Sequence, residues 1–256
     1  MVSRYLGDDR LRHHIVFERN TYMQCVYCGE AAKTREHTPS KVFLQKPYPN
    51  DLLVVPSCVE CNNMFSSDEL YVALLLELLK NHYISDYTLT ETTLKRLEKK
   101  EGKQAKNTFE VHLSHHHFLF NDFRIKRILH KLAVCHATYE ISEGYYGSAW
   151  ESNAQEIEYK LLPYMTHNDY DDMDSFEVVT LWPEVGSIGY DRILDVEVAL
   201  CALEGESLQK VVLPFATWSD IQDRNYRYLA FVDDAKITVK IIIGEFLFSK
   251  IYFMNA

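Results

Sequence analysis

With 256 residues and a mass of 30.0 kDa, the chain is long enough to bury a core that needs no disulfide staples. Its composition is 47% apolar and 25% charged, with only 9 glycines and 7 prolines, which excludes collagen-like, low-complexity and largely disordered proteins. A net charge of −10 excludes a protein that coats nucleic acid with its whole surface, because such binding requires Lys and Arg to neutralise phosphates. The average hides a strong division. Residues 1–61 carry 8 basic and 7 acidic side chains and 62–90 carry 1 and 4. Residues 91–136 carry 10 and 5, and 137–256 carry 8 and 21, so one stretch is basic and the C-terminal half strongly acidic. Six cysteines are too few for a disulfide scaffold. The first twenty residues, with Arg4, Asp8, Asp9, Arg10 and Arg12, lack the apolar run of a secretory signal, so a cytoplasmic setting is expected. The longest apolar stretch, Leu70–Leu79, is about half of what a membrane-spanning helix needs.

In chain order, short β-type runs stand at His14–Phe17 and Gln24–Tyr27, followed by a loop rich in Lys, Thr, Pro and Ser. Ser66-Ser67-Asp68-Glu69 has the form of a capping box, Ser66 as N-cap and Glu69 reaching back, ahead of an apolar run that predicts a buried helix over about 67–82. A charged helix is predicted from Glu91 to Lys103. An amphipathic helix is predicted from Asp122 to about Tyr139, with Phe123, Ile125, Ile128, Leu129, Leu132 and Ala133 inward. Beyond Tyr145 the pattern turns to β-type runs: Phe176–Leu181, Val211–Phe215, Tyr228–Val232, Ile237–Ile243 and Phe246–Phe253. An α+β protein is expected, with a small module at 1–82 and a C-terminal domain at 83–256, helical over 83–140 and mostly β over 141–256.

Four cysteines form two Cys-x-x-Cys knuckles, Cys25/Cys28 and Cys58/Cys61, with 29 residues between them. Two residues between cysteines let both thiolates turn onto one ion, and two knuckles complete the closed four-sulfur shell of a structural zinc site. Cys135 and Cys201 have no partner at knuckle spacing and read as core residues. Between the knuckles lies Arg35-Glu36-His37-Thr38-Pro39-Ser40, and Asn62 and Asn63 follow the last cysteine. His37 has the pKa range of a general base near neutral pH, and Glu36 and Asn62 offer hard oxygen ligands for a divalent cation such as Mg²⁺ or Mn²⁺.

The ordered set of Cys-x-x-Cys, an acidic-His dipeptide with Pro two residues later, Asp51-Leu52-Leu53-Val54-Val55-Pro56-Ser57, and Cys58-x-x-Cys61-Asn62 resembles the HNH, or ββα-metal, endonucleases with a four-cysteine zinc site. Phage resolvases of the endonuclease VII type share this layout. The resemblance covers roughly residues 22–70. It implies a ββα-metal module, DNA as substrate, His37 as general base, Glu36 and Asn62 as ligands of a catalytic divalent cation, and zinc as a structural ion only. The family often carries Asp or His where Glu36 stands, and an Asn that orients the His, for which Asn50 and Asp51 are the nearest counterparts. It also implies a prokaryotic or phage setting, antiphage defence among them. The alternative from another class is a noncatalytic, zinc-stapled module that binds nucleic acid or protein.

His112, His115, His116 and His117, read as strand residues with no completing carboxylate or cysteine nearby, are expected to contribute to phosphate contact and not to a metal shell. Lys95, Arg96, Lys99, Lys100, Lys103, Lys106, Arg124, Lys126, Arg127 and Lys131 are the candidate phosphate contacts. The acidic half is a candidate surface for a protein partner. The acidic run Asp169, Asp171, Asp172, Asp174 reads as a solvated loop, and the C-terminal Tyr and Phe residues as sheet core.

Overall fold

A computed structural model describes residues 24–50, 52–115, 122–141, 154–174, 177–178, 193–200, 209–233 and 236–254. The predicted runs at His14–Phe17 and over most of Phe176–Leu181 lie outside these residues, as do Asp51, His116, His117 and Cys201.

Two short strands, β1 (Thr34–Thr38) and β2 (Leu53–Ser57), pair antiparallel with Thr34 opposite Ser57 and Thr38 opposite Leu53. Helix α1 (Val59–Met64) follows β2 directly, and after the single residue Phe65 the chain continues as α2 (Ser66–Tyr83). The predicted helix over 67–82 is present, but the capping box is not. Phe65 occupies the N-cap position, Ser66 Oγ donates to the Asn63 carbonyl, and the Glu69 side chain turns into the interior. The box fails because α1 runs almost straight into α2 and its end supplies acceptors such as the Phe65 carbonyl, to which the Glu69 amide donates at 2.9 Å.

The predicted charged helix is two: α3 (Glu91–Leu97), N-capped by the Thr90 hydroxyl, and α4 (Lys100–His115). The chain reverses at Glu98–Lys99 so closely that a Cβ on Gly102 would lie 2.3 Å from the Leu97 Cα, and only glycine fits there. His112 and His115 therefore stand on a helix and not on a strand. Helix α5 (Phe123–Ile141) buries Ile125, Ile128, Leu129, Leu132 and Ala133 as predicted, whereas Phe123, at its first turn, is 72% exposed.

The C-terminal half is sheet, as expected. Strands β3 (Ala154–Leu161), β7 (Ser219–Gln222), β8 (Tyr226–Asp233), β9 (Lys236–Ile243) and β10 (Leu247–Met254) form an antiparallel sheet in the order β3-β10-β9-β8-β7. A second sheet has the order β4-β6-β5, from β4 (Glu177–Val178), β5 (Ile193–Leu200) and β6 (Gln209–Ala216). The β9–β10 hairpin closes through Gly244 and Glu245, both at positive φ, the backbone that matches the right-handed twist of paired strands. Seven consecutive residues of β9 are buried, the mark of a strand covered on both faces. The acidic run is not a loop but helix α6 (His167–Asp174). Its Asp172, with Glu177, pairs with the buried Lys240 of β9 at 2.9 and 2.5 Å, which satisfies an ammonium inside the sheet.

Helix α5 lies between the two halves, touching β1 and β2 on one side and β3, β8, β9 and β10 on the other. One contiguous cluster of buried apolar side chains runs from Cys25 through α2 and α5 to Phe253, with contributions from both sides of residue 82. Tyr226, Tyr228, Phe231, Phe246 and Phe253 are sheet core, as the sequence indicated. No helix among the described residues is long and apolar enough to cross a membrane.

His130 on α5 is buried with its ring stacked on Phe253, centroids 5.6 Å apart, and burial pushes its imidazole down to about 4. Below its ordinary value of 6.5 the unfolded chain takes up a proton that the folded chain refuses. Stability is therefore lost as pH falls from 6.5 towards 4, by about 3 kcal/mol for this residue. Urea unfolding at pH 7.5 and pH 4.5 is expected to show a smaller pH dependence for His130→Gln than for the natural chain. Equal dependence in both would remove His130 from the acid sensitivity.

Candidate metal centre and its surroundings

The first knuckle is a tight turn and not the strand its β-type residues predicted. Gly29 sits at φ 76°, its amide donates to the Cys25 carbonyl at 2.9 Å, and the Cys25 amide donates to the Glu30 carbonyl at 2.6 Å. The turn is tied to β2 by Val26 N–H to the Pro56 carbonyl and Lys33 N–H to the Ser57 carbonyl, both 3.1 Å. The second knuckle starts a helix. Cys58 is the N-cap of α1, and its sulfur accepts from the Cys61 amide at 3.3 Å, where the helix dipole also favours negative charge.

These two turns bring all four sulfurs within 4.8 Å of one another, with Cys28 Sγ and Cys58 Sγ 3.8 Å apart. A tetrahedron of thiolates about 2.3 Å from zinc has edges of about 3.8 Å, so the spacing fits the ion. Cys25, Cys58 and Cys61 are buried and Cys28 partly so. Burial opposes ionisation of Cys58, yet the Cys61 amide and the neighbouring thiols hold its thiol below the ordinary value. Four thiolates fill the coordination shell, so the ion placed here would be structural. Among the described residues this is the one cluster of three or more His, Cys, Asp or Glu side chains able to hold a metal. Cys135 is a buried core thiol, as expected, 3.0 Å from the Tyr27 hydroxyl.

Alternation along β1 separates the other candidates. Glu36 and Thr38 point inward and are buried, while Arg35 and His37 occupy the opposite, more open face. Asn62, one residue beyond the last cysteine, lies on α1 against the same strand; its amide donates to Thr34 Oγ1 at 3.1 Å and to the Arg35 carbonyl at 3.4 Å. Asn62 and the strand of His37 are thus brought together by the cysteine cluster. The Glu36 carboxylate is engaged elsewhere: Lys131 of α5 donates to its Oε1 at 2.9 Å. The same ammonium donates to Ser40 Oγ at 2.8 Å and pairs with Glu69 of α2, which also accepts from Ser40. Burial raises the Glu36 carboxyl above its ordinary value even with Lys131 beside it. Burial also opposes the charge on Lys131, but Glu69 and Glu36 outweigh it and hold the ammonium more basic than usual.

Charge pattern alone groups Lys131 with the candidate phosphate contacts, yet it follows Ile128 by three residues and precedes Cys135 by four, on the apolar stripe of α5. A lysine inside such a stripe calls for a buried acidic partner. Arg124 and Arg127 are also committed, both to Asp68 at 2.6 Å, with Arg124 stacked on Tyr71 at 3.8 Å. Lys95 and Lys106 pair with Glu91 and Glu98. Arg96, Lys99, Lys100 and Lys103 of the basic stretch stand exposed on α3, the turn and α4. His112 is buried with Nε2 at 3.2 Å from both the Tyr83 and Tyr164 hydroxyls, a structural contact between α2, α4 and the chain after β3. The chain matches no family model, no curated protein and no solved structure.

Proposed function

We propose that the protein is a zinc-stapled, metal-dependent endonuclease that hydrolyses DNA phosphodiesters at the junction of β1 and α1. One observation carries this reading: the four-cysteine cluster holds α1, with Asn62 bonded to Thr34 and the Arg35 carbonyl, against the strand whose less buried face carries His37. In this arrangement His37 takes the proton from the attacking water, and the Asn62 carbonyl oxygen is a ligand for Mg²⁺ or Mn²⁺, which would neutralise charge on the phosphate. Zinc supplies rigidity alone. Service of Glu36 as a second oxygen ligand requires its carboxylate to exchange Lys131 for the ion. Arg96, Lys99, Lys100 and Lys103 are the cations left for phosphate positioning.

His37→Ala is expected to lower cleavage by about 10²- to 10⁴-fold with the circular dichroism spectrum unchanged. The assay is nicking of plasmid, single-stranded and branched DNA by the full chain with Mg²⁺ or Mn²⁺. Absence of cleavage on every substrate, or a His37→Ala variant that cuts at the natural rate, sinks the reading.

The Lys131 contact favours a second reading, in which the module is noncatalytic and Glu36 serves to lock β1 to α5. Under it the protein binds DNA in a salt-dependent manner that survives chelation of divalent ions, and no strand is cut.

A further inference from the structure

Away from the cysteine cluster, an open cleft of about 470 Å³ lies between the segment after β1, the side of α2, the start of α3, the β7–β8 turn and the end of β9. Its size falls within the range of about 300 to 1,000 Å³ usual for small-molecule sites. Three cations line it, Lys46, Lys80 and Arg96, against one carboxylate, Glu77. That carboxylate is partly consumed, since Glu77 Oε1 accepts from the Tyr87 hydroxyl at 2.7 Å and stands 3.7 Å from Lys80 Nζ. Lys46 and Arg96 are exposed and reach the cleft from its rim, whereas Lys80 is only 8% exposed.

A Cβ on Gly244 would come within 2.2 Å of the Lys80 Nζ, so glycine at this position, with φ +63°, leaves the ammonium in its place beneath the turn. Burial pushes the Lys80 ammonium below its ordinary value, and Glu77 offsets this only in part. A further anion at the cleft would complete its neutralisation. One wall is apolar, with Tyr48, Leu70 and Leu74, and Thr92 and Thr93 stand near Arg96.

We infer that this cleft binds a nucleoside phosphate, its phosphates held by Lys80 with Arg96 and Lys46 and its base on the wall of Tyr48 and Leu74. Three cations against one carboxylate in a single cleft suit a multiply charged anion, and the aromatic and aliphatic side chains beside them suit a flat heterocycle. The site shares Arg96 with the cations offered to DNA above, but it rests on the cleft and not on cleavage.

Calorimetric titration of the full chain with AMP, ADP and ATP, and with phosphate and pyrophosphate, tests it. Saturable binding of at least one nucleotide below millimolar concentration is expected, tighter than pyrophosphate. Lys80→Met is expected to weaken it by about tenfold or more, and Arg96→Ala, on the exposed rim where folding is not at stake, by about three- to tenfold. Lys236→Ala, which removes an equal charge from the exposed start of β9 outside the cleft, is expected to bind as the natural chain does. The inference is overturned if no nucleotide binds, if pyrophosphate binds as tightly as every nucleotide, or if Arg96→Ala and Lys236→Ala behave alike.

Discussion

Cys58→Ser is expected to release the metal and unfold the N-terminal module. Cys58 does three things at once: it supplies one of four sulfurs, caps α1, and joins that helix to β2. A serine retains the cap but not the fourth thiolate. Zinc bound by such a shell contributes on the order of 10 kcal/mol or more at neutral pH, which exceeds the whole stability of many domains. Because the buried cluster is continuous from Cys25 to Phe253, loss of the knuckles also opens the face of α5 that β1 and β2 cover. The measurements are zinc content of the purified protein, expected near one ion per chain and near none in the variant, and thermal unfolding with and without chelator. A natural chain that purifies without zinc and melts at the same temperature in chelator would contradict the closed-shell assignment.

Lys131→Met is expected to cost about 3 to 5 kcal/mol. The ammonium is 1% exposed and holds two carboxylates, Glu36 and Glu69, that come from different elements and are themselves nearly buried. Removing it leaves both acids in the interior with only Ser40 between them, and one or both must bind a proton or break away into water. Burial, with Glu69 adding to it, already raises the Glu36 carboxyl even with Lys131 in place, so the site has little tolerance for loss of the ammonium. A triple variant, Glu36→Gln with Glu69→Gln and Lys131→Met, is expected to recover much of the loss, because it removes the charges and not only their partner. Urea denaturation of the single and triple variants decides. A single variant within about 1 kcal/mol of the natural chain would mean that the cluster is hydrated and its charges screened.

The cysteine site was legible because its signal is local. Two residues between thiols and the cap position of Cys58 are properties of the chain itself, and folding had only to bring two preformed turns together. Helices α2 and α5 were legible for a similar reason, since their apolar faces are long enough to outweigh local ambiguity. The break between α3 and α4 was not. It depends on Gly102 meeting the backbone of Leu97, a contact that a periodic pattern of charged residues does not reveal. The capping box at Ser66 failed likewise, because Glu69 finds a stronger partner in Lys131 from a helix sixty-two residues away.

What the sequence determined by itself is an α+β chain with four clustered thiols near one end, a basic helical middle and an acidic β half. The side each charged residue serves was decided only in three dimensions. The motif makes Glu36 a metal ligand and the charge pattern makes Lys131, Arg124 and Arg127 candidate phosphate contacts, whereas in the structure all four stand in ion pairs across elements. A charge in a low-dielectric interior offsets its desolvation only with a partner a few ångströms away, and which partner stands there is fixed by the packing of α5 against β1 and α2.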